Sequence, residues 1–167
     1  MTAATPRPGF RSEPVAVVRA AYLSDAGAVH RLSAPFVRQG ALRDRPASRY
    51  ARDVADFLVA EAAHGDLAGC VAWRRRPDAR GRAAAVLYNF CVAAGSQRCG
   101  IGSALLRAVL AEAAAQGVSR VFTATKGSGL LFLRHGFTVG GEAEAPPEWR
   151  ARLDPARGSR VLVRALG

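Results

Sequence analysis

A glycine-rich turn between an apolar run and an amphipathic segment constrains the fold of this chain more than any other feature. Residues 83–92 are largely apolar, the turn reads Gln97-Arg98-Cys99-Gly100-Ile101-Gly102, and apolar side chains recur at helical spacing after it. This order predicts a strand, a loop and then a helix. Because the first N–H groups of a helix lack partners within it and the helix dipole adds positive charge, the turn is suited to binding a phosphate group.

Two glycines and an arginine strengthen the phosphate interpretation. Gly100 and Gly102 would let the main chain approach a diphosphate with no Cβ atoms in the way, and Arg98 adds a fixed positive charge beside them. The turn lacks the G-x-G-x-x-G pattern of dinucleotide-binding folds and the terminal G-K-S/T of Walker loops. The sequence therefore predicts a phosphate cradle that belongs to neither of these classes.

The length and hydrophobic content of the chain predict a single folded domain. Its 167 residues, half of them hydrophobic, suffice for a substantial core. Residues 1–14 are proline-rich and are expected to form a flexible N-terminal segment, which leaves residues 15–167 as the domain. No apolar run reaches membrane-spanning length and the first residues do not resemble a signal peptide, so we expect a cytoplasmic protein with no membrane partner.

The chain is strongly basic, with 24 basic and 13 acidic residues and a formal net charge of +11. Such an excess favours anionic partners, which include phosphates, carboxylates and nucleic acids. Apart from Arg74-Arg75-Arg76 the arginines are scattered, and aromatic residues do not alternate with them. Nucleic-acid binding is therefore not expected.

The three cysteines fit no metal-binding spacing, and their odd number argues against a disulfide framework. We therefore expect no metal site. Cys70 and Cys91 lie in strand-like apolar runs and are predicted to be small core residues. Cys99 lies in the glycine-rich turn, where either a thiol of lowered pKa or a tolerated small residue fits.

Hydrophobic periodicity and turn residues predict seven strands and four helices. Pro35 is expected to end the first helix, and a stretch marked by proline and glycine at 140–158 is expected to lead into the final strand. The predicted strands cover 15–20, 57–62, 67–74, 83–92, 120–125, a segment from 137, and 160–165, and the predicted helices cover 25–34, 46–54, 100–116 and 128–134.

The turn and the order of elements resemble the GNAT superfamily of acetyl-CoA-dependent N-acetyltransferases. Gln97, Gly100 and Gly102 occupy the three defined positions of the family's pyrophosphate-binding signature, Gln/Arg-x-x-Gly-x-Gly/Ala. The resemblance implies an α/β (α+β) fold, in which a central mixed, mostly antiparallel sheet is splayed at strands 4 and 5 and flanked by about four helices. It also implies acetyl-CoA as co-substrate, a small-molecule amine as acceptor, and a possible homodimer.

The same resemblance implies which residues meet the cofactor. The main chain of Cys91 and Val92 would pair with the pantetheine arm, and the Val92 amide would polarise the thioester carbonyl. The pyrophosphate would sit on the amides at the start of the helix. The implied cofactor-binding residues are Cys91, Val92, Gln97, Arg98, Cys99, Gly100, Ile101, Gly102 and Ser103.

The sequence leaves open which group takes the proton from the acceptor amine. Many relatives carry a glutamate on the fourth strand, whereas residues 87–92 contain no carboxylate. Tyr88 or Asn89 could order a water that carries the proton away, although a strand tyrosine can equally be a core residue. Many relatives also carry a tyrosine acid four residues before a Gly-Phe pair, and that position is Phe132 here. Direct deprotonation by water is compatible with the sequence.

Four further stretches carry a narrower resemblance: residues 36–45, 68–72 and 132–137, and 146–148 together with 157–162. They resemble the acetyltransferase domain of N-acetylglutamate synthase, in a short stand-alone form. This resemblance implies L-glutamate as the acceptor, through its α-amine, and arginine biosynthesis as the context.

Two arginines and a lysine are the candidate acceptor-binding residues. The family places arginines at the positions of Arg45 and Arg157, and Lys126 lies one position from another. Guanidinium groups bind carboxylates bidentately, although in so arginine-rich a chain each of these residues could instead be a solvated surface residue. Residues 153–156 depart from the family pattern, so a different small amine (an antibiotic, a polyamine or a peptide N-terminus) and a non-catalytic CoA-binding protein stay as alternatives.

Overall fold

The computed structural model describes residues 16–167, which contain one seven-stranded sheet and five α-helices. The N-terminal segment predicted at 1–14 and the start of the first predicted strand at residue 15 lie outside the described residues. The strands are β1 (Val17–Ala20), β2 (Phe57–Glu61), β3 (Leu67–Arg75), β4 (Ala84–Val92), β5 (Arg120–Thr125), β6 (Thr138–Val139) and β7 (Arg160–Ala165). The helices are α1 (Ala26–Arg38), α2 (Ala47–Arg52), α3 (Ile101–Ala115), α4 (Leu130–Arg134) and α5 (Pro147–Ala151).

The sheet is mixed and mostly antiparallel, as predicted. Its strand order is β1-β2-β3-β4-β5-β7-β6, and β4 with β5 is its one parallel pair among the described strands. That pair is joined only at the start of each strand, where Ala84, Ala85 and Val86 stand opposite residues 120–122. Beyond Val86 the two strands diverge, and β5 continues against β7 instead. The sheet is therefore splayed between its fourth and fifth strands.

Helices cover both faces of the sheet because side chains on each strand point alternately to either side. Val71 and Trp73 of β3 pack in the core cluster beneath α3, together with the fully buried Leu105, Leu106 and Val109. Burying each such side chain stabilises the fold by about 1.5–3 kcal/mol.

The opposite face of β3 carries Cys70 and Ala72, which pack beneath α1 and α2 together with Cys91. Both Cys70 and Cys91 are buried, as predicted for small core residues.

The prediction that Pro35 ends the first helix is wrong. Helix α1 continues through Pro35 to Arg38, and the Pro35 carbonyl accepts the main-chain N–H of Gln39 at 3.1 Å. Proline removes one hydrogen bond from a helix, but Leu32 and Phe36 on either side of it pack against the core beneath α1. This packing outweighs the local cost.

The stretch at 140–158 contains regular structure that the sequence interpretation did not include. Helix α5 occupies its middle, and a 3-10 turn covers Pro155–Arg157. Pro147 stands at the first position of α5, where a missing N–H costs nothing. Across residues 16–167, no helix combines the length and apolar character needed to cross a bilayer.

Candidate active site

The glycine-rich turn forms the start of α3, as predicted. After β4 the chain makes a 3-10 turn at Ala94–Ser96 and enters an exposed loop that ends at Gly100, the N-cap of α3. Arg98 and Gly100 both adopt left-handed conformations, with φ of 64° and 80°. The first hydrogen bond within the helix runs from the N–H of Ala104 to the Gly100 carbonyl at 3.0 Å. The N–H groups of residues 101–103 therefore have no intrahelical acceptor and are available to an anion.

The two glycines of the turn serve different structural purposes. A Cβ at Gly100 would meet nothing within 4 Å, so its positive φ is what favours glycine there. A Cβ at Gly102 would lie 3.0 Å from Leu131 Cδ2, so this glycine lets α4 pack closely against α3.

The end of β4 presents main-chain groups to the gap between β4 and β5. The N–H of Ala93 donates to the carbonyl of Ala68 at 2.8 Å, and Gly69 stands opposite Val92. Hydrogen-bonded and non-hydrogen-bonded pairs alternate along an antiparallel ladder, so the N–H and C=O of Val92 point away from β3. The Val92 carbonyl accepts the Gln97 side-chain amide at 3.1 Å, which holds the loop against the strand end.

By the same alternation, the main-chain N–H and C=O of Cys91 point towards β3, away from the gap. Cys91 stands opposite Cys70, one position along the ladder from the Gly69–Val92 pair, so its N–H and C=O face β3. Of the two residues expected to offer main-chain groups to a ligand, Val92 is the one whose groups face the gap.

A β-bulge at Asn89 bends β4 beyond the point where it leaves β5. The register changes between the Cys70–Cys91 and Ala72–Tyr88 pairs, so that one residue of β3 stands opposite two of β4. Asn89 itself has a φ of 49°, a left-handed conformation that asparagine tolerates better than most residues.

The side chain of Asn89 is buried in a polar cluster beneath α1 and α2. Its Nδ2 donates to Ser33 Oγ at 2.8 Å. Its Oδ1 accepts the Tyr50 hydroxyl at 3.2 Å and Arg45 Nη1 at 3.3 Å. The bulge residue is therefore tied to α1, to α2 and to the segment that carries Arg45.

Tyr88, the residue before the bulge, lies between two guanidinium groups and a carboxylate. Its hydroxyl donates to Asp56 Oδ2, which also accepts Arg74 Nε at 2.8 Å. The Arg45 and Arg74 guanidinium carbons lie 5.1 and 5.9 Å from the centre of the Tyr88 ring. Burial and the bond to Asp56 raise the pKa of Tyr88 well above its usual range, so the phenol stays protonated. Its oxygen keeps lone pairs that can accept a hydrogen bond.

A cavity of about 520 Å³ opens beside Tyr88 and Asn89, between β4, β5, α5 and the segment after α1. This volume is typical of small-molecule sites. Nine cationic side chains and four carboxylates line it, which gives the cavity a strong positive excess. The cations are Arg43, Arg45, Arg49, Arg74, Arg76, Lys126, Arg150, Arg152 and Arg157, and the carboxylates are Asp44, Asp53, Glu148 and Asp154.

The structure brings the three predicted acceptor-binding residues together in this cavity. Arg157 Nη2 donates to the carbonyl of Gly40 at 3.1 Å, and a Cβ at Gly40 would lie 3.6 Å from Lys126 Nζ. Within residues 16–167, no carboxylate forms an ion pair with Arg45, Lys126 or Arg157. Arg74, by contrast, binds two carboxylates.

Arg45 is partly buried, and burial of its charge costs free energy that a bound anion would reduce. Desolvation lowers its pKa, which shows that the surroundings disfavour its charge, yet guanidinium groups stay protonated in proteins. A carboxylate entering the cavity would relieve this cost.

Phe132, at the position where the family resemblance would imply a tyrosine acid, is buried. Its ring centre lies 5.6 Å from that of Phe90 and 5.4 Å from that of Phe137, within a buried aromatic cluster. Cys99 is exposed in the loop, with its Sγ 3.5 Å from the Gln97 carbonyl. Among the described residues, no group of three or more His, Cys, Asp or Glu side chains is placed to hold a metal ion.

Four residues of the site were missed by sequence reasoning: Ser33, Tyr50, Asp56 and Arg74. They reach the site from α1, α2, the turn before β2, and β3. No local pattern distinguishes them from ordinary helix and strand residues, because their roles depend on the bulge at Asn89 and on the position of Tyr88.

The splayed mixed sheet, a helix start after β4 with unpaired N–H groups, and the basic cavity beside the splay agree with the architecture of an acetyltransferase. The family model of the acetyltransferase (GNAT) domain matches residues 53–139, and the chain belongs to this family.

Curated relatives share sequence over most of the chain. It is 33% identical over 149 residues to an amino-acid acetyltransferase of Ralstonia nicotianae, across 89% of this chain and 32% of that protein. It is 29% identical over 150 residues to an amino-acid acetyltransferase of Neisseria meningitidis, across 89% of this chain and 34% of that protein. The chain thus spans about a third of the length of these relatives.

Solved structures agree with the fold. N-acetylglutamate synthase from Neisseria gonorrhoeae, complexed with coenzyme A and N-acetyl-glutamate, superposes with a TM-score of 0.83 at 27% identity, over 93% of this chain and 36% of that one. Rv2747 from Mycobacterium tuberculosis superposes with a TM-score of 0.73 at 24% identity, over 90% of this chain and 99% of that one. The second similarity concerns the fold alone.

Proposed function

We propose that this protein is an acetyl-CoA-dependent N-acetyltransferase that acts on the α-amine of an acidic amino acid, with L-glutamate as the preferred acceptor. The observation that carries the proposal is the basic cavity beside the splay, where Arg45, Lys126 and Arg157 converge without carboxylate partners among the described residues. The relatives named amino-acid acetyltransferase support it. The positive excess disfavours a polycationic acceptor such as a polyamine.

Two features of the chain fit coenzyme A. The N–H groups of residues 101–103, together with Arg98, would hold the pyrophosphate at the start of α3. The Val92 main chain, which faces the gap beside β4, would meet the pantetheine arm. The bound co-substrate supplies an activated acetyl thioester, and the Val92 N–H would stabilise negative charge that develops on its carbonyl oxygen.

The cavity residues would hold the acceptor so that its amine faces the end of β4. Arg45 and Arg157 would each bind a carboxylate, with Lys126 beside them. Holding the amine and the thioester together can lower the activation barrier by about 7–11 kcal/mol. The ammonium first loses a proton to water, because only the free amine has a lone pair. A carbon–nitrogen bond then forms, the carbon–sulfur bond breaks, and the thiolate of coenzyme A leaves and takes up the second proton lost by the nitrogen. Tyr88 would accept a hydrogen bond from this water, while its own proton stays on the phenol oxygen and is donated in a hydrogen bond to Asp56.

A thiol-release assay with acetyl-CoA tests the proposal against glutamate, aspartate, glutamine and lysine. We expect turnover on glutamate, with Arg45→Ala and Arg157→Ala raising its KM about 10- to 100-fold, since each removes a charge-assisted hydrogen bond. Arg31→Ala is the matched control, because Arg31 is an exposed arginine of α1 outside the cavity. Absence of turnover on every acidic amino acid, while coenzyme A still binds, would reject the acceptor assignment and leave the family membership intact.

A further inference from the structure

Three polar side chains beneath the cavity are more deeply buried than any acceptor-binding residue. Ser33, Tyr50 and Asn89 are 0%, 2% and 4% exposed. Burying polar groups costs free energy unless they are hydrogen-bonded, so their arrangement is tightly constrained. They come from α1, α2 and β4, and Asn89, which lines the cavity, is hydrogen-bonded to both of the others.

Their hydrogen bonds are donated in one direction, from the cavity towards α1. The Ser33 hydroxyl donates to the Val29 carbonyl at 2.8 Å, so its oxygen is left to accept the Asn89 amide nitrogen, also at 2.8 Å. This fixes which end of the Asn89 amide faces Ser33. Its carbonyl oxygen must then face Tyr50 and Arg45, which both donate to it.

The guanidinium of Arg45 is thereby held from two sides by neutral groups. Asn89 Oδ1 accepts one of its N–H groups at 3.3 Å, and the Tyr88 ring lies below its central carbon at 5.1 Å. Neither contact neutralises the charge, and a guanidinium has five N–H donors, so several stay available to a ligand in the cavity. Arg45 is oriented and yet keeps its charge for an incoming carboxylate.

We propose that Ser33, Tyr50 and Asn89 are positioning residues that fix the Arg45 guanidinium at the cavity wall for one carboxylate of the acceptor. They set the affinity for the acceptor and leave the transfer step unchanged. This assigns Asn89 a role other than ordering the water that takes the proton. The inference rests on the proposed function, because it requires an anionic acceptor.

The left-handed conformation of Asn89 allows its backbone and side-chain roles to be separated. Glycine adopts a φ of 49° readily, so Asn89→Gly preserves the bulge and removes only the amide. Tyr50→Phe is an independent second variant: it removes one hydroxyl and retains the ring contacts with His30 and Phe57. Ser119→Ala is the control, since this hydroxyl donates to the Ala83 carbonyl and neither residue lines the cavity.

Steady-state kinetics with glutamate and acetyl-CoA decide the question. We expect Asn89→Gly and Tyr50→Phe to raise the KM for glutamate about 5- to 10-fold, with kcat and the KM for acetyl-CoA within about twofold of wild type. In an Arg45→Ala background, Asn89→Gly should raise the KM no further, because the residue that it positions is gone.

Four results would overturn the inference. A fall in kcat at unchanged glutamate KM would make Asn89 a water-ordering residue, and full additivity with Arg45→Ala would make the cluster purely structural. Unchanged kinetics in both variants would remove the positioning role while the proposed function stands. Absence of glutamate turnover by the wild-type protein would instead remove the proposed function together with the inference.

Discussion

At the residue scale, carboxylates are scarce in this basic chain, and several bind more than one donor. Asp25 accepts two N–H groups of Arg19, at 2.7 and 3.1 Å, and the main-chain N–H of Tyr22 at 2.6 Å. The Arg19 guanidinium is the main cause of the lowered pKa of Asp25. Asp25 therefore fixes the start of α1 to the edge strand β1.

Replacing this carboxylate should give a pH-dependent loss of stability. Asp25→Asn should lower the free energy of unfolding at pH 7 by about 1–2 kcal/mol. The pKa of Asp25 in the folded state lies below its ordinary value of 3.8, so its contribution is present above about pH 4 and is lost as the pH falls through the folded pKa. Urea unfolding at pH 7 and at successively lower pH measures this. Asp66→Asn, at a carboxylate that is 87% exposed, is the control, and a difference independent of pH would contradict the expectation.

Tyr88 should support catalysis without titrating in the working range. Its pKa is raised by burial and by the bond to Asp56, so the phenol keeps its proton between pH 6 and 9. Tyr88→Phe should lower kcat, and the profile of kcat between pH 6 and 9 should keep its shape. Loss of an ascending limb in the variant would show that Tyr88 or its partner is the base.

At the element scale, close packing of α3 on β3 sets the position of the glycine-rich loop. Gly69 lies where α3 crosses the sheet: a Cβ there would stand 2.9 Å from Leu105 Cδ1 and 3.1 Å from the Cys91 carbonyl oxygen. Main-chain atoms cannot move aside as a flexible side chain can. Because Gly69 has no side chain, α3 can pack closely on β3, and its start lies near the end of β4.

Enlarging Gly69 should therefore destabilise the fold. Gly69→Ala should lower the free energy of unfolding by about 1–3 kcal/mol. Gly95→Ala is the matched control, because a Cβ there meets nothing within 4 Å, and its effect should stay within about 0.5 kcal/mol. Denaturant titration of the two variants gives the comparison, and equal stabilities would show that α3 can shift without cost.

The helices and strands also show which parts of the fold a local sequence pattern can predict. The predicted spans for β5 and β7, residues 120–125 and 160–165, are confirmed to the residue. Alternating and apolar runs bounded by turn residues are local signals, which a single sequence contains in full. Pro35 in α1 and the bulge at Asn89 were not predictable in this way, because packing against the rest of the protein decides both.

At the scale of the whole molecule, the net charge of +11 is concentrated in part where the acceptor would bind. The positive electrostatic potential over a cleft lined mainly by cations attracts anions, and dissolved salt screens this attraction. The cavity could therefore favour acidic amino acids before any direct contact forms.

This field should make acceptor use depend on salt. Between about 20 and 300 mM KCl, kcat/KM for glutamate should fall by about two- to fivefold, with a smaller fall for glutamine, which has one carboxylate fewer. The thiol-release assay at constant acetyl-CoA concentration measures both. An equal decline for the two acceptors would show that salt acts on the co-substrate or on the protein instead.

The sequence by itself determined the strand–loop–helix unit, the order of elements and the resemblance to the acetyltransferase family, since these depend on residues within a few positions of one another. It also pointed to Arg45, Lys126 and Arg157, but only through resemblance. The tertiary structure alone placed these three in one cavity and joined Arg157 to Gly40, 117 positions earlier in the chain. It likewise formed the cluster of Ser33, Tyr50 and Asn89. Such contacts depend on the twist of the sheet and on one inserted residue in β4, and neither leaves a periodic signal in the sequence.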